Sequence, residues 1–528
     1  MALSKQYIVS GLHHLGLPEG CAVMVHSALS AFGEVEGGAG TVIEALLEAI
    51  GPQGTLLMPA MASEQPFRIA SSPSTVGAIS EVFRSWPGAI RSLHPTHSAT
   101  ALGPLAEQLL AGHIEQPTAV GPESPWGRLA QRDDGYILLL GVDQDRNTLL
   151  HGAEEVVDAP YLGSISRDYI DTDGNRRTKI MGRYPGPHRD FISLDPLFEQ
   201  AGIMKIGKIG SAICRLTPAR QMLQLAVTAL QRDPAAVLCD NPRCRDCVRQ
   251  RAAIKRDMLR REDFTLSAVI DQVGLPPDDF EQALWLIAAE GIRHLEIGAQ
   301  WAATIADDDH LRRELAAALA DRDMLVAVYH ADIPLSDEAS ADDAIKALDA
   351  AIHTSAVFTP EVFKLPPYLS DGPMSPEERR AHAVELLDAV GQRASESKLS
   401  LLVENRPRSV CSDGKACVEL LQAVTSPAVS FAFNPAHFAQ AGERPFLQTY
   451  TRGRAKRHMS QLMLTDGCAP PWPAHTLLGE GQGEVKELMS ILRCRSFSGL
   501  FTLAVGDEAS PERFASQAQA FWRLLQNS

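Results

Sequence analysis

The sequence predicts two α/β domains in series, the second of them a (β/α)8 barrel. Three observations carry this. The chain has 528 residues, too many for one compact core. In the first half, the apolar runs AVMVH (22–26) and YILLLGV (136–142) look like buried strands that end in polar loops, a common place for chemistry in α/β proteins. From Phe264 the pattern changes to helix-then-strand units: ALWLIAAEGIRHLEIG, RRELAAALADRDMLVAVYHADI, AVELLDAVGQRASESKLSLLVENRP, ACVELLQAVTSPAVSFAFNPAHF and VKELMSILRCRSFSGLFTLAVG. Repetition of such units predicts a barrel. The boundary is placed at 262, giving domains 1–262 and 263–528.

Composition excludes several partner classes. A net charge of −16, with 45% hydrophobic and 22% charged residues and no long basic run, argues against nucleic acid or an anionic membrane surface. The N-terminal stretch lacks the apolar core of a signal peptide, and no uncharged apolar run approaches the ~18 residues of a spanning helix. The nine cysteines are spread out apart from one cluster, which fits a reduced, cytoplasmic setting better than a disulfide framework.

Residues 3–16 read as a short amphipathic helix. The strand at 22–26 is followed by SALSAFGEVEGG, whose small residues let a ligand approach the backbone. Residues 41–50 read as a helix and GPQGTLLMPAM as a turn into a buried strand. RSLHPTHSATALG (91–103) gathers Arg91, Ser92, His94, Thr96 and His97 in one Gly/Pro-bounded loop. The two histidines are poorly spaced for one metal, and no nearby acid completes a zinc set. Residues 147–155 read NTLLHGAEE. If they begin a helix, His151 and Glu154 share a face, and a histidine held by a carboxylate is a tuned general base. A capped helix start with acidic residues in its first turn explains the same spacing.

Several of these stretches, in order over residues 5–235, carry a resemblance: VHSALSAFGEVEGGAGTVIEALLEAIGPQGTLLMPA, RSLHPTHSATALG, ESPWGRLAQRDDGYILLLGV and NTLLHGAEEV, with HRDFISLDPLF and GKIGSAICRL behind them. They resemble the aminoglycoside 3-N-acetyltransferase family. The resemblance implies an antibiotic N-acetyltransferase-like α/β domain that moves an acetyl group from acetyl-CoA to an amine of an aminoglycoside, an amino sugar or a related biosynthetic intermediate. It makes His151 the general base, oriented by Glu154 or by the more distant Asp190. It lays His26, Ser27, Ala28, Leu29 and Ser30 against CoA. Arg91, Ser92, His94 and Thr96 then line the same cleft, Arg91 toward phosphate, with His97 toward the substrate. Residues 161–187 are strongly basic. Arg176, Arg177, Lys179 and Arg183 would suit an acceptor bearing carboxylate or phosphate, or would decorate a solvated hairpin around Asp173 and Gly174.

At the junction, LCDNPRCRDCVRQR holds Cys239, Cys244 and Cys247. Three cysteines need a fourth ligand, such as a histidine, to hold zinc. The stretch is therefore read as a loop leading into a basic helix, 248–261, rather than as a metal site.

In the second half, ALWLIAAEGIRHLEIG, LLVENRP, FNPAHFAQAGERPF, LTDG and LGEGQGEVKELMSIL resemble the sugar phosphate isomerase/epimerase family, the xylose-isomerase-like TIM barrels, over 264–526. Enzymes of that family hold one divalent metal with Glu, Asp, His and Glu from strand ends. Here the expected strand ends carry Glu296, His330, Glu404, Asn434, Gln461 and Ala504. Glu404 is kept, but the Asp is Asn434, the His is Gln461 and the last Glu is Ala504. The metal site reads as dismantled, with Glu404, Asn434 and Asp466 as weak candidate ligands and His437 with Asp466 as a replacement site. A binding or substrate-presenting barrel follows. The rival readings are isomerase or epimerase activity in the barrel, alone or on the same small-molecule amine, and a noncatalytic binding protein in which both halves are relics. The oligomeric state stays open, a homodimer included.

Overall fold

The computed structural model describes residues 2–184, 188–506 and 508–527; residues 185–187, the end of the basic segment, lie outside them. The chain divides into two units between Ile254 and Lys255. The division falls inside one helix, Arg245–Leu259, where the sequence reading put a boundary at 262.

The first unit contains β1 (Ala22–Ser27), β2 (Thr55–Pro59), β3 (Ile90–Arg91), β4 (Ala99–Leu102), β5 (Gly135–Leu140), β6 (Gly163–Ile170), β7 (Arg176–Arg183), β8 (Lys205–Ile209) and β9 (Ala212–Pro218). Seven of them form one sheet in the order β3-β4-β2-β1-β5-β9-β8. β1 pairs in parallel with β2 and β5, and the outer strands add antiparallel. The centre is covered on both faces. One core gathers Ile43, Leu46 and Phe83, the other Trp126, Leu149 and Met222. Burial on both faces is why the central strands read as continuous apolar runs rather than alternating ones.

β6 and β7 make a separate hairpin. Asp171 Oδ1 accepts from the backbone N–H groups of Asp173 (3.0 Å) and Asn175 (2.8 Å), which closes its turn. Arg176 pairs with Asp168 (2.5 Å) and Arg177 with Asp171 (3.0 Å). Two of the four basic residues, Arg176 and Arg177, are thus paired within the hairpin.

The second unit is a closed barrel of eight parallel strands: β10 (Thr265–Val269), β11 (His294–Ile297), β12 (Leu325–His330), β13 (Val362–Lys364), β14 (Ser400–Glu404), β15 (Val429–Phe433), β16 (Met459–Leu464) and β17 (Leu500–Leu503). The sequence units did not resolve β13, which is only three residues long. Cys411 and Cys417 are joined as a disulfide, so one bridge stands where reduced thiols were expected. No helix of the described residues is long and apolar enough to cross a membrane.

Candidate active site

β1 and β5 are parallel neighbours, so their carboxyl ends open side by side and the loops that follow meet, a frequent site position in open α/β sheets. A cleft of about 870 Å³ lies there. It is lined by residues 26–30 at and just beyond the end of β1, by 75–78, by His97, and by Asp145, Arg146, Thr148 and His151 after β5. Gly77 has φ +120°, a conformation side-chain-bearing residues rarely adopt, and this lets the chain turn in toward the end of β1.

His151 sits on the helix Leu149–Val156. The side-chain oxygen of Asn147 accepts from Leu149 N (3.2 Å), and its amide donates to Gln144 Oε1 (2.9 Å), which fixes the helix start. One turn on, His151 Nδ1 lies 2.6 Å from Glu154 Oε2. Glu154 is fully buried, and its other oxygen accepts from Tyr161 Oη (3.0 Å) and Arg189 Nε (2.5 Å). Burial alone would raise the Glu154 pKa. The His151 contact and the Arg189 guanidinium outweigh it and hold the carboxyl below its ordinary value. An ionised carboxylate at Nδ1 keeps the proton on that nitrogen and leaves Nε2 with its lone pair. The imidazole is stacked on Tyr184 (4.3 Å between centroids) and meets Phe191 edge-on (5.0 Å), so its plane is fixed.

The neighbouring histidines are held neutral. Burial pushes His26 and His97 down to about 3 and His113 to about 4, and His94 well below the ordinary range. They act as uncharged structure around His151. Thr96 Oγ1 bonds His97 Nδ1 (2.8 Å) and so orients the ring that lines the cleft.

Other expected site residues lie elsewhere. Arg91 does not face the cleft. Its guanidinium donates to Ser98 Oγ (3.0 Å) and to the carbonyls of Ile69 (3.2 Å), Ser72 (2.6 Å) and Ala60 (2.5 Å), and it packs over Phe67. Four of its five N–H donors are thus spent on Ser98 Oγ and three backbone carbonyls, and Arg91 is not among the residues that line the cleft. Ser92 Oγ is bonded to His113 Nδ1 (2.9 Å) and Ala99 N (2.9 Å). His94 is fully buried, accepts from His97 N (2.9 Å) and stacks on His113. Both belong to the wall behind the cleft. Among the described residues no hydrogen bond or ion pair joins Asp190 to His151. The Asp190 N–H donates to Val237 O (2.9 Å) and its carbonyl accepts from Ser193 Oγ (2.5 Å). Of the two candidate carboxylates, Glu154 is the one in contact with His151 Nδ1. The sequence reading missed Arg189, Tyr161, Tyr184, Arg146 and residues 75–78. Arg189 adjoins Asp190 in HRDF, the motif already singled out, so a charged neighbour for Glu154 was within reach.

In the barrel, Glu296, Lys364 and Glu404 meet. Lys364 Nζ donates to Glu296 Oε1 (2.6 Å) and lies 3.3 Å from Glu404 Oε2. Glu296 also contacts His330 Nε2 (2.7 Å) and accepts from Gln461 Nε2 (2.6 Å); Asn434 Nδ2 donates to Glu404 Oε1 (2.7 Å). Burial would raise Glu296, but the Lys364 charge and His330 outweigh it and hold it at about 2; Glu404 is likewise held low. A cavity of about 650 Å³ opens beside this cluster, lined by Tyr329, His330, Lys364, Glu404 and Arg406.

Comparison with known proteins follows the same division. A family model described as aminoglycoside 3-N-acetyltransferase matches residues 24–231. A prophage-derived aminoglycoside N(3′)-acetyltransferase-like protein of Bacillus subtilis, YokD, is 35% identical over 240 residues, covering 40% of this chain and 87% of that protein. The chain belongs to the aminoglycoside 3-N-acetyltransferase family. Aminoglycoside N(3)-acetyltransferase IV of Salmonella sp is 36% identical over 239 residues, covering 44% of this chain and 90% of the relative. A crystal structure of the aminoglycoside acetyltransferase AAC(3)-IVa apoenzyme aligns at 32% identity and TM-score 0.44, covering 47% of this chain and 96% of that one. A second model, described as xylose isomerase-like TIM barrel, matches 286–525.

This member of the acetyltransferase family thus carries a second, barrel-type half. The divalent metal that the barrel resemblance implies does not fit the residues present. An ammonium already lies between the two glutamates, and Asn434 and Gln461 spend amide donors on those same glutamates. Asp466 accepts from the backbone N–H groups of Gly467 (2.8 Å), Gly479 (3.0 Å), Gly481 (3.0 Å) and Gly483 (2.8 Å). It ties a glycine loop rather than joining Glu404 and Asn434 as a ligand. Gln461 lies inside β16 rather than at its end.

Proposed function

We propose that the N-terminal unit transfers an acetyl group from acetyl-CoA to an amine of an aminoglycoside, amino sugar or related biosynthetic intermediate, with His151 as general base. The observation that carries this is the 2.6 Å contact between His151 Nδ1 and a buried, ionised Glu154 at the edge of the cleft. An ammonium must first release a proton to solvent. The neutral amine nitrogen then attacks the thioester carbon, and its remaining acidic N–H proton passes to His151 Nε2. As the C–S bond breaks, the imidazolium returns that proton to the departing thiolate, giving the amide and free CoA. Glu154 holds the ring in the tautomer that accepts the proton and stabilises the imidazolium. In this reading backbone N–H groups of the turn that begins at Leu29 stabilise the thioester oxyanion, the Ala28 N–H being spent on Leu140 O (3.0 Å). Arg146, exposed at the cleft and without an ion-pair partner among the described residues, is the cation for a CoA phosphate. The setting is cytoplasmic, where acetyl-CoA is available.

Calorimetric titration of acetyl-CoA into the whole protein and into His151→Ala, with thiol release followed over a panel of amines, tests the reading. Binding by both with turnover lost in the variant is expected. Absence of binding by both overturns it. For the barrel, the cavity beside Lys364 favours recognition of a small anionic or hydroxylated ligand without a metal.

A further inference from the structure

The three cysteines at the junction acquire a fourth neighbour in the fold. His188, Cys239, Cys244 and Cys247 bring four ligand atoms within 4.8 Å of one another. His188 Nδ1 lies 3.3 Å from Cys247 Sγ and 3.6 Å from Cys244 Sγ. With Zn–S of about 2.3 Å and Zn–N of about 2.0–2.1 Å, a tetrahedral site has an S···N edge of about 3.6 Å. The cluster is close to that size without any metal to gather it. From these positions we propose that His188, Cys239, Cys244 and Cys247 form a structural zinc site. It goes beyond acetyl transfer and stands whether or not the cleft performs that reaction.

The local structure suits a closed, four-ligand site. Cys244 ends a turn in which its N–H bonds Asn241 O (3.0 Å). The helix Arg245–Leu259 starts at the next residue, so the Cys-x-x-Cys pair 244–247 wraps the helix start while Cys239 comes from the preceding loop. Arg251, one turn beyond Cys247, donates to Leu238 O (2.5 Å) and pairs with Asp240 (2.8 Å), which pins that loop to the helix. Cys247 is buried in a small apolar cluster with Ala159, Tyr161 and Leu238. Three thiolates and one imidazole select zinc over hard cations such as calcium and magnesium, which prefer oxygen. Four protein ligands leave no open position, so the role is structural. His188 comes from a distant part of the chain, which is why residues 239–247 read alone as a loop.

The site also has a local consequence. His188 precedes Arg189, and Arg189 Nη1 donates to His188 O (2.9 Å) while its Nε reaches Glu154 (2.5 Å). A metal at His188 would anchor the segment that holds the Glu154 carboxylate.

The test is metal analysis of the full-length protein purified without chelator or immobilised-metal resin. About one zinc per chain is expected, with Cys244→Ser/Cys247→Ser losing at least about tenfold in zinc affinity. Should that double variant not fold, His188→Cys provides an independent arm: it retains zinc as a four-cysteine site, whereas His188→Ala binds it more weakly. Cobalt exchanged into the native protein is to show thiolate-to-cobalt charge transfer and tetrahedral visible bands, a readout independent of activity. Substoichiometric zinc together with only octahedral cobalt bands overturns the proposal. So does a native protein in which two of the three cysteines are joined as a disulfide, detected by mass before and after reduction.

Discussion

Replacing Glu154 with glutamine separates orientation from bulk. The side chain keeps its shape but loses its charge, and one of its two terminal atoms becomes a donor. Three donors now face Glu154: His151 Nδ1, Tyr161 Oη and Arg189 Nε. If the new amide NH2 turns to His151, Nδ1 must accept, the ring proton moves to Nε2, and the base loses its lone pair. If the NH2 turns to Arg189, a donor confronts a buried cation. The first outcome removes general-base catalysis, worth about 10²–10⁴ in rate or about 3–5 kcal/mol of barrier. Either outcome leaves the Arg189 guanidinium, whose side chain is 2% exposed, without its anion, a cost of about 3–5 kcal/mol in folding stability. The assay is thiol release at saturating acetyl-CoA, paired with urea unfolding, with His151→Ala as comparator. Glu154→Gln is expected to lower kcat about as far as His151→Ala while losing more stability than it. A folded Glu154→Gln that keeps kcat within about threefold, with an unchanged pH–rate profile, refutes the orientation argument.

Arg146→Ala should weaken acetyl-CoA binding about tenfold, or about 1.4 kcal/mol, and flatten its salt dependence, measured by calorimetry at two ionic strengths. Arg91→Ala should leave acetyl-CoA affinity unchanged and cost about 2–4 kcal/mol of stability, because its donors hold the carbonyls of Ala60, Ile69 and Ser72; urea unfolding of the variant checks this. Lys364→Met should destabilise the barrel by about 3–5 kcal/mol at neutral pH, since two buried carboxylates lose their cation. In the native protein, Glu296 has a folded pKa of about 2 against an ordinary 4.5. Its depressed value contributes stability above pH ~4.5 that is lost as pH falls through ~2, and unfolding from pH 7 down to 2 is expected to show less of this acid loss in Lys364→Met.

The α/β character of both halves was legible because both kinds of central strand are buried on two faces and leave continuous apolar runs. His151 and Glu154 were legible because one helical turn brings them together, so local spacing carried the geometry. What local spacing could not carry was any contact made over long sequence separation. Arg189 reaches Glu154 across 35 residues, and His188 reaches Cys247 across 59. Arg91 misled for the converse reason. An arginine in a polar loop suggests an anion, but whether its donors already face carbonyls depends on how residues 60–72 fold back. β13 escaped because three residues in EVFKL give no periodicity, and with it went Lys364, the residue that decides the character of the barrel.

Lys364 changes what kind of chemistry that barrel can offer. A divalent metal works by vacant coordination positions: it binds two oxygens of a sugar at once, and it must be acquired from the cell's exchangeable pool. A tethered ammonium has no vacant positions and needs no loading. It can donate hydrogen bonds or give up a proton, and it cannot be removed by a chelator or replaced by a competing ion. Where the barrel resemblance implies a metal, the second half of this chain holds a covalently supplied charge, and that charge is spent on Glu296 and Glu404.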